Sequence, residues 1–244
     1  MAEAARGTAL VTAGAKRIGR ALTRACAQAG FDVAIHVRTI DDAAEAAAAE
    51  VRSLGRKARL LGCDLRQEAA AVALVGEAEA ELGTVTLLVN NAGVFENDSF
   101  GAMNRASWDT HMETNLRAPL ILAQAFARRL PATAEGLIVN ILDQRVWRTQ
   151  PEFFSYSLSK AALWEATRML AQALAPRIRV NGVGPGPTLP SIHQGPGEFE
   201  AEAAATLLQR PTSPEQIAGA LTYLIDATSV TGQMIAVDSG QHLA

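Results

Sequence analysis

Tyr156 and Lys160 stand four residues apart in YSLSK, and that interval places two side chains on one face of a helix. A free tyrosine titrates near pH 10, too high to exchange protons readily at neutral pH. A neighbouring ammonium favours the phenolate and lowers that value by about one to three units, so the pair reads as a general acid tuned by a cation. A second group lies near the start, where an apolar run enters LVTAGAKRIGR. Gly14 and Gly19 bracket a turn into a helical pattern, which aims backbone N–H groups and the positive end of a helix dipole at a phosphate. Glycine pairs also serve ordinary turns, and Lys16 and Arg17 beside them also fit a solvated surface. In the opening turn, however, each cation costs about 0.3–1 kcal/mol against the dipole unless an anion sits nearby. Gly14, Lys16, Arg17, Ile18 and Gly19 are therefore expected at a phosphate.

The next apolar run ends in VAIHVRT. A dinucleotide fold that prefers NAD normally carries an acid here for the ribose 2′-hydroxyl. From Phe31 to Thr39 the one acid is Asp32, at the start of the run. His36, Arg38 and Thr39 stand at its end, and a guanidinium with a hydroxyl suits a 2′-phosphate. An exposed arginine at a strand end is the plainer alternative. Together with Lys16 and Arg17, the pattern favours NADPH over NADH. Asp64 and Leu65, closing the third run, are expected beside the adenine.

These residues need a scaffold, and the chain supplies strands alternating with helices. Strands are predicted at Ala9–Thr12, Asp32–Val37, Ala58–Leu61, Val85–Val89, Leu137–Leu142, Arg179–Val183 and Met234–Val237. Most are rich in Val, Ile and Leu without polar alternation, as strands buried on both faces of a parallel sheet are. Helical patterns cover Ile18–Ala29, Asp41–Leu54, Gln67–Leu82, Ser107–Leu130, Phe153–Leu174 and Pro214–Ile225. Such alternation implies βαβ crossovers, hence one doubly wound α/β domain over 1–244. Gly184–Glu198 breaks the rhythm with four prolines and four glycines. A loop of this length in a compact domain is usually functional, so a lid is expected over about 184–212, with Leu189 and Ile192 to pack it.

Composition narrows the function. The 244 residues are 49% hydrophobic and 19% charged with net charge −3, which excludes disorder and gives no basic footprint for nucleic acid. No apolar run approaches the roughly 18–20 residues of a membrane span, and the first residues do not read as a signal peptide. Cys26 and Cys63 cannot build a disulfide framework and fit a reducing compartment, so a cytoplasmic location is expected. His36, His111, His193 and His242 are scattered without ligand spacing, so no metal is expected. His193 falls in the lid, where a solvated side chain is expected, with a touch to the substrate as the alternative.

Asn90-Asn91-Ala92-Gly93 after the fourth strand, Asn115 in a long helix, Tyr156-Ser157-Leu158-Ser159-Lys160 and Asn181–Gly186 (NGVGPG) occur in this order at these intervals. The set resembles the short-chain dehydrogenase/reductase family over essentially the whole chain. That resemblance implies a Rossmann-type parallel sheet of about seven strands with helices on both faces. It implies a cofactor held also by Asn91, Ala92, Gly93, Tyr156, Lys160, Pro185 and Gly186. It implies a lysine that holds the nicotinamide ribose, an asparagine (Asn115) that supports a proton-relaying water, and a homotetramer formed through two long helices.

Departures from the family pattern sharpen the expectation. Ala13 takes the place of the first glycine, so the turn is open to a shift by one residue, and Arg17 takes that of the middle one. Asp143 stands thirteen before the tyrosine, where most members have serine. Gly93 replaces a serine found in some members of the branch discussed next, and Ser239 replaces a glycine near the end. Arg17, His36 with Arg38, and Asp143 together look like the pteridine reductase branch, where Phe95 matches an aromatic that stacks the pterin. The expected reaction is NADPH-dependent hydride transfer to a ring C=N of a dihydropterin or dihydrofolate. Asp143, Tyr156, Lys160 and Asn115 are the expected catalytic residues, and Arg17, Phe95, Asp143 and Tyr156 the substrate contacts. The alternatives are a carbonyl reductase for a sugar or 3-oxoacyl substrate, and a non-catalytic nucleotide-sensing protein.

Overall fold

All seven apolar runs pair into a single sheet in a computed structural model that describes residues 5–191 and 194–244. The strands are β1 (Thr8–Val11), β2 (Asp32–Val37), β3 (Ala58–Gly62), β4 (Val85–Asn90), β5 (Gly136–Ile141), β6 (Ile178–Pro185) and β7 (Met234–Val237). Their order is β3-β2-β1-β4-β5-β6-β7 and every pairing is parallel. The helices are α1 (Arg17–Gln28), α2 (Asp42–Ser53), α3 (Glu68–Leu82), α4 (Arg105–Met112), α5 (Ala118–Arg129), α6 (Phe154–Leu174), α7 (Glu198–Ala204) and α8 (Pro214–Asp226).

Two cores follow from the period of two along each strand. Ala9, Val11, Val33, Ile35, Val89 and Val139 face Leu22 of α1, Val51 of α2 and Leu221 of α8. Leu10, Ala34, Leu88 and Ile138 face the other way, onto Leu74 of α3 and onto Leu122 and Phe126 of α5. Each fully buried Val, Leu, Ile or Phe among them contributes about 1.5–3 kcal/mol, which explains the unbroken apolar runs. Caps set several helix starts: Asp41 accepts from Ala44 N at 3.0 Å, and Ser213 with Gln216 closes a capping box on α8.

Two boundaries differ from expectation. The helix predicted over Ser107–Leu130 begins at Arg105 and is interrupted by one wide π turn at Glu113–Arg117, which contains Asn115. Pro119, four residues on, lacks the N–H that would donate to the Asn115 carbonyl, so a regular α-helical bond is missing at this point. The predicted lid starts later than 184, because β6 runs to Pro185. Irregular chain follows over 186–191 and 194–197, then α7 and a further connection to Thr212. Ile192 and His193 lie outside the described residues.

β1 lies between β2 and β4, so the chain leaves it in opposite directions, and ligands of such sheets bind in the crevice at the carboxyl ends there.

Candidate active site

The carboxyl ends of β1, β4, β5 and β6 open onto a cavity of about 890 Å³. Ala13, Lys16, Arg17, Ile18 and Gly19 line one end, and Asn91, Gly93, Asp143, Tyr156, Lys160, Pro185 and Gly186 continue along it. Phe95 also lines it.

At the first end the turn after β1 keeps its register. Ala13 (φ 49°) and Arg17 (φ 50°) hold left-handed backbone at the two positions where the family pattern has glycine, and Ser239 (φ 54°) does so at the third. A non-glycine residue there costs on the order of 1–2 kcal/mol, which neighbouring bonds must offset. Several do. Ala13 N donates to His36 Nδ1 at 3.3 Å, Gly14 N to the His36 carbonyl at 3.0 Å, and Asn91 Nδ2 to the Thr12 and Ala13 carbonyls at 2.9 and 3.1 Å. Thr12 Oγ1 accepts from both Asn91 N and Ala92 N at 2.9 Å. Gly19 is demanded by space, since a Cβ there would lie 2.0 Å from the Ala13 carbonyl oxygen. At the other wall a Cβ on Gly186 would meet Asp238 Cα at 2.7 Å.

His36 therefore acts differently from expectation. It is 3% exposed, accepts at Nδ1 and donates from Nε2 to the Cys63 carbonyl at 3.1 Å, a pattern that fixes the neutral tautomer. Burial holds its pKa below the usual histidine value. It props the turn from below and does not line the cavity. Arg38 and Thr39 are exposed at the end of β2, with the Arg38 side chain 77% exposed and only 3.9 Å contact to Asp64. Asp64 is bound instead by Arg66, whose bonds hold its carboxyl down at about 2. Leu65 is buried in the core. Lys16 pairs with Asp41 at 2.6 Å. Arg17 turns toward the lid, donating to the Leu189 and Pro190 carbonyls at 3.3 and 3.1 Å.

At the other end Tyr156 Oη donates to Asp143 Oδ2 at 2.7 Å, and Asp143 Oδ1 accepts from Arg145 N at 2.8 Å. Lys160 Nζ donates to the Ile141 carbonyl at 2.7 Å and sits 5.8 Å from the Tyr156 ring centroid. These distances correct the expected titration. Burial raises the Tyr156 pKa well above 10, the Asp143 carboxylate adds to the rise, and Lys160 does not offset it. Burial also raises Asp143, against the bonds from Arg145 N and Tyr156, and lowers Lys160 to about 8. Asn115, fully buried, spends its amide on Val94 (2.8 Å from N–H, 2.9 Å to C=O) and on Ser159 Oγ at 3.0 Å. It ties the strand-end loop to the helix that carries Tyr156 and Lys160. Phe95 stacks on Phe153 with centroids 4.2 Å apart and meets Tyr156 edge-on at 4.7 Å.

Several residues outside the sequence expectations shape this end. Asp98 receives Ser155 N at 2.9 Å at the start of α6 and so sets the position of Tyr156. Burial works to raise the Asp98 pKa, but bonds from Ser107 and Ser155 lower it overall. Glu202 of α7 accepts from Gln194 Nε2 at 2.8 Å and Gln241 Nε2 at 2.9 Å, joining the lid to the C-terminal turn. Asp98 follows no motif, and its bond to Ser155 N joins residues 57 apart; like the Glu202 bonds, it depends on chain contacts that leave no local signal.

A doubly wound parallel sheet with a glycine turn at its switch point and a Tyr–Lys pair across the crevice defines a nicotinamide-dependent oxidoreductase. The chain belongs to the short-chain dehydrogenase/reductase family, and a family model described as enoyl-(acyl carrier protein) reductase matches residues 13–242. It is similar to the crystal structure of FolM alternative dihydrofolate reductase 1 from Brucella suis in complex with NADP. The TM-score is 0.95 with 47% identity, covering 99% of this chain and 97% of that one. The corresponding Brucella canis protein complexed with NADP gives a TM-score of 0.91 with 46% identity, covering 98% and 95%. The 3-oxoacyl-(acyl-carrier-protein) reductase FabG of Aggregatibacter actinomycetemcomitans is 34% identical over 248 residues, 96% of this chain and 98% of its own length.

The cofactor is NADP(H), and the residues present fit it. Exposed Arg38 and the absence of an acid at the end of β2 suit a 2′-phosphate, and Gly19 lets α1 begin close against the turn. The FolM structures fit the pteridine reductase-like branch.

Proposed function

We propose that this enzyme reduces a ring C=N bond of a dihydropterin or dihydrofolate with NADPH. The observation that carries the reading is the 2.7 Å bond between buried Tyr156 and half-buried Asp143. A serine at position 143 would donate to a carbonyl oxygen as negative charge develops there. An aspartate can offer such a donor only when protonated. A ring nitrogen asks instead for a proton, and an acid pair can deliver one and replace it.

Bound NADPH supplies a hydride to the ring carbon. Tyr156 passes its hydroxyl proton to the adjacent nitrogen, so C=N becomes CH–NH, and Asp143 returns a proton to the phenolate oxygen. Burial favours this order because it raises the carboxyl pKa of Asp143 toward the range where it holds a proton. Lys160 holds the nicotinamide ribose, and Phe95 stacks the substrate ring. Asn115 keeps the Val94 loop and α6 in register and supports a proton-relaying water. Arg17 reaches both cofactor phosphate and substrate. Asn91 and Gly93 line the cofactor groove, His36 and Ala92 brace the turn behind it, and Asp64 and Leu65 remain assigned to the adenine end.

Support also comes from the FolM proteins, described as alternative dihydrofolate reductases. The second reading, a 3-oxoacyl or other carbonyl reductase, draws on the FabG similarity. NADPH oxidation measured with a dihydropterin, dihydrofolate and simple ketones decides between them. Faster turnover of either pterin supports the proposal, and faster turnover of ketones overturns it. We also propose a cytoplasmic homotetramer built on α4–α5 and α6, where Leu158 and Met169 are exposed. Light scattering that returns the 25.7 kDa chain mass overturns the assembly.

A further inference from the structure

We infer that Arg145 seats a carboxylate of the substrate, so that the enzyme takes a pterin bearing an acidic tail in preference to the bare ring. The inference rests on the pterin reading above and names the part of the substrate that lies beyond the reacting ring.

Four cations line the cavity, and among the described residues one of them, Lys16, is ion-paired. Lys16 is paired with Asp41, Arg17 donates to the lid carbonyls, and Lys160 is buried against the Ile141 carbonyl. Arg145 differs. Its Nη1 donates to the neutral Gln150 Oε1 at 2.9 Å, and its guanidinium carbon lies 5.1 Å from the Phe153 ring centroid. Among the described residues its side chain forms no ion pair. The two nearby Asp143 oxygens are taken by the Arg145 backbone N–H and by Tyr156.

An arginine held by a ring and a neutral amide is fixed in place without being neutralised. Its planar fork matches a carboxylate through two parallel charge-assisted bonds. The position fits the tail of the proposed substrate. Phe153 connects Arg145 to Phe95, which is stacked on it at 4.2 Å with an interplanar angle of 6°. A ring placed by Phe95 therefore shares the cavity with Arg145, whose guanidinium lies against the Phe153 ring on which Phe95 stacks. A tail-free dihydropterin leaves the guanidinium unused.

The test compares wild type, Arg145→Gln and Arg145→Lys, each loaded with NADP, in two measurements. Calorimetry follows binding of p-aminobenzoylglutamate, which carries the carboxylates without the pterin. The expected result is a loss of at least tenfold in affinity for Arg145→Gln and a smaller loss for Arg145→Lys, with the ligand displaced poorly by inorganic phosphate. Steady-state kinetics follow dihydrofolate and a carboxylate-free dihydropterin. For Arg145→Gln the dihydrofolate KM should rise at least tenfold relative to that of the bare dihydropterin, with kcat nearly level. Equal changes for both substrates, unaltered p-aminobenzoylglutamate binding, or equal displacement by phosphate overturns the inference. If wild type reduces neither pterin, the proposed reaction fails, while the binding measurement still decides the role of Arg145.

Discussion

Tyr156 gives its hydroxyl hydrogen to Asp143 Oδ2 at 2.7 Å, and the two side chains lie together in the cavity wall. The phenol thus has an acid for its nearest polar partner, while Lys160 is turned to the Ile141 carbonyl. Chemistry at this site depends on what supplies the next proton, and the proposed reaction assigns that role to Asp143.

Replacing Asp143 tests that role. Asp143→Ser should lower dihydropterin kcat/KM at least tenfold, because the proton source beside Tyr156 is gone. The same change introduces a hydroxyl donor suited to an oxyanion, so activity on activated ketones should hold or rise. Measuring both ratios on one preparation checks the prediction. A variant that changes neither rate would assign Asp143 to capping the Gln144–Val146 turn, which its bond to Arg145 N already does.

The pH profile follows from the shifts. Asp143 has a raised pKa and must hold its proton, so dihydropterin kcat/KM should decline as pH rises through that value. A second decline should follow near pH 8, where buried Lys160 loses its charge. Both act in the same direction, giving a profile highest on the acid side. Asp143→Ser should remove the first decline. Lys160→Arg keeps a permanent charge and should remove the second at a lower overall rate. A wild-type profile that rises with pH across this range contradicts the assignment.

Arg38→Asp should weaken NADPH binding sharply while leaving NADH binding little changed or improved. The guanidinium stands exposed at the end of β2 with only a 3.9 Å contact to Asp64, so little folding depends on it. Dissociation constants for both cofactors check this. Equal loss for both would make Arg38 a structural residue.

Much of this arrangement was legible in the chain. The unbroken apolar runs declared a parallel sheet buried on both faces, and the Tyr156–Lys160 interval placed both side chains on one helix face. The π turn at Glu113–Arg117 was not legible, because one wide turn hardly disturbs a helical pattern and only Pro119 marks it. His36 misled for a related reason: a strand end shows which residues are near the phosphate but not which side of the turn a ring occupies. The pKa reversal at Tyr156 came from burial, which no spacing reveals.

Gly19→Ala offers a test of the turn itself. An added methyl would lie 2.0 Å from the Ala13 carbonyl oxygen and 2.7 Å from Asn91 Nδ2. Backbone cannot yield as a side chain can, so α1 must move from the turn. The expected loss is about 1–3 kcal/mol of stability together with at least tenfold in NADPH affinity. Thermal unfolding with and without NADP measures both, and a variant with normal affinity contradicts the packing argument.

The most direct measurement of the central claim is to follow the hydride. The enzyme is supplied with NADPH carrying deuterium at the transferred position, together with dihydrofolate and an activated ketone in competition, and the products are separated and analysed by NMR. The account predicts deuterium on a ring carbon of the reduced pterin, beside a nitrogen that has gained a proton from solvent. Deuterium found only on the carbinol carbon of the alcohol, with the pterin recovered unlabelled, would contradict it.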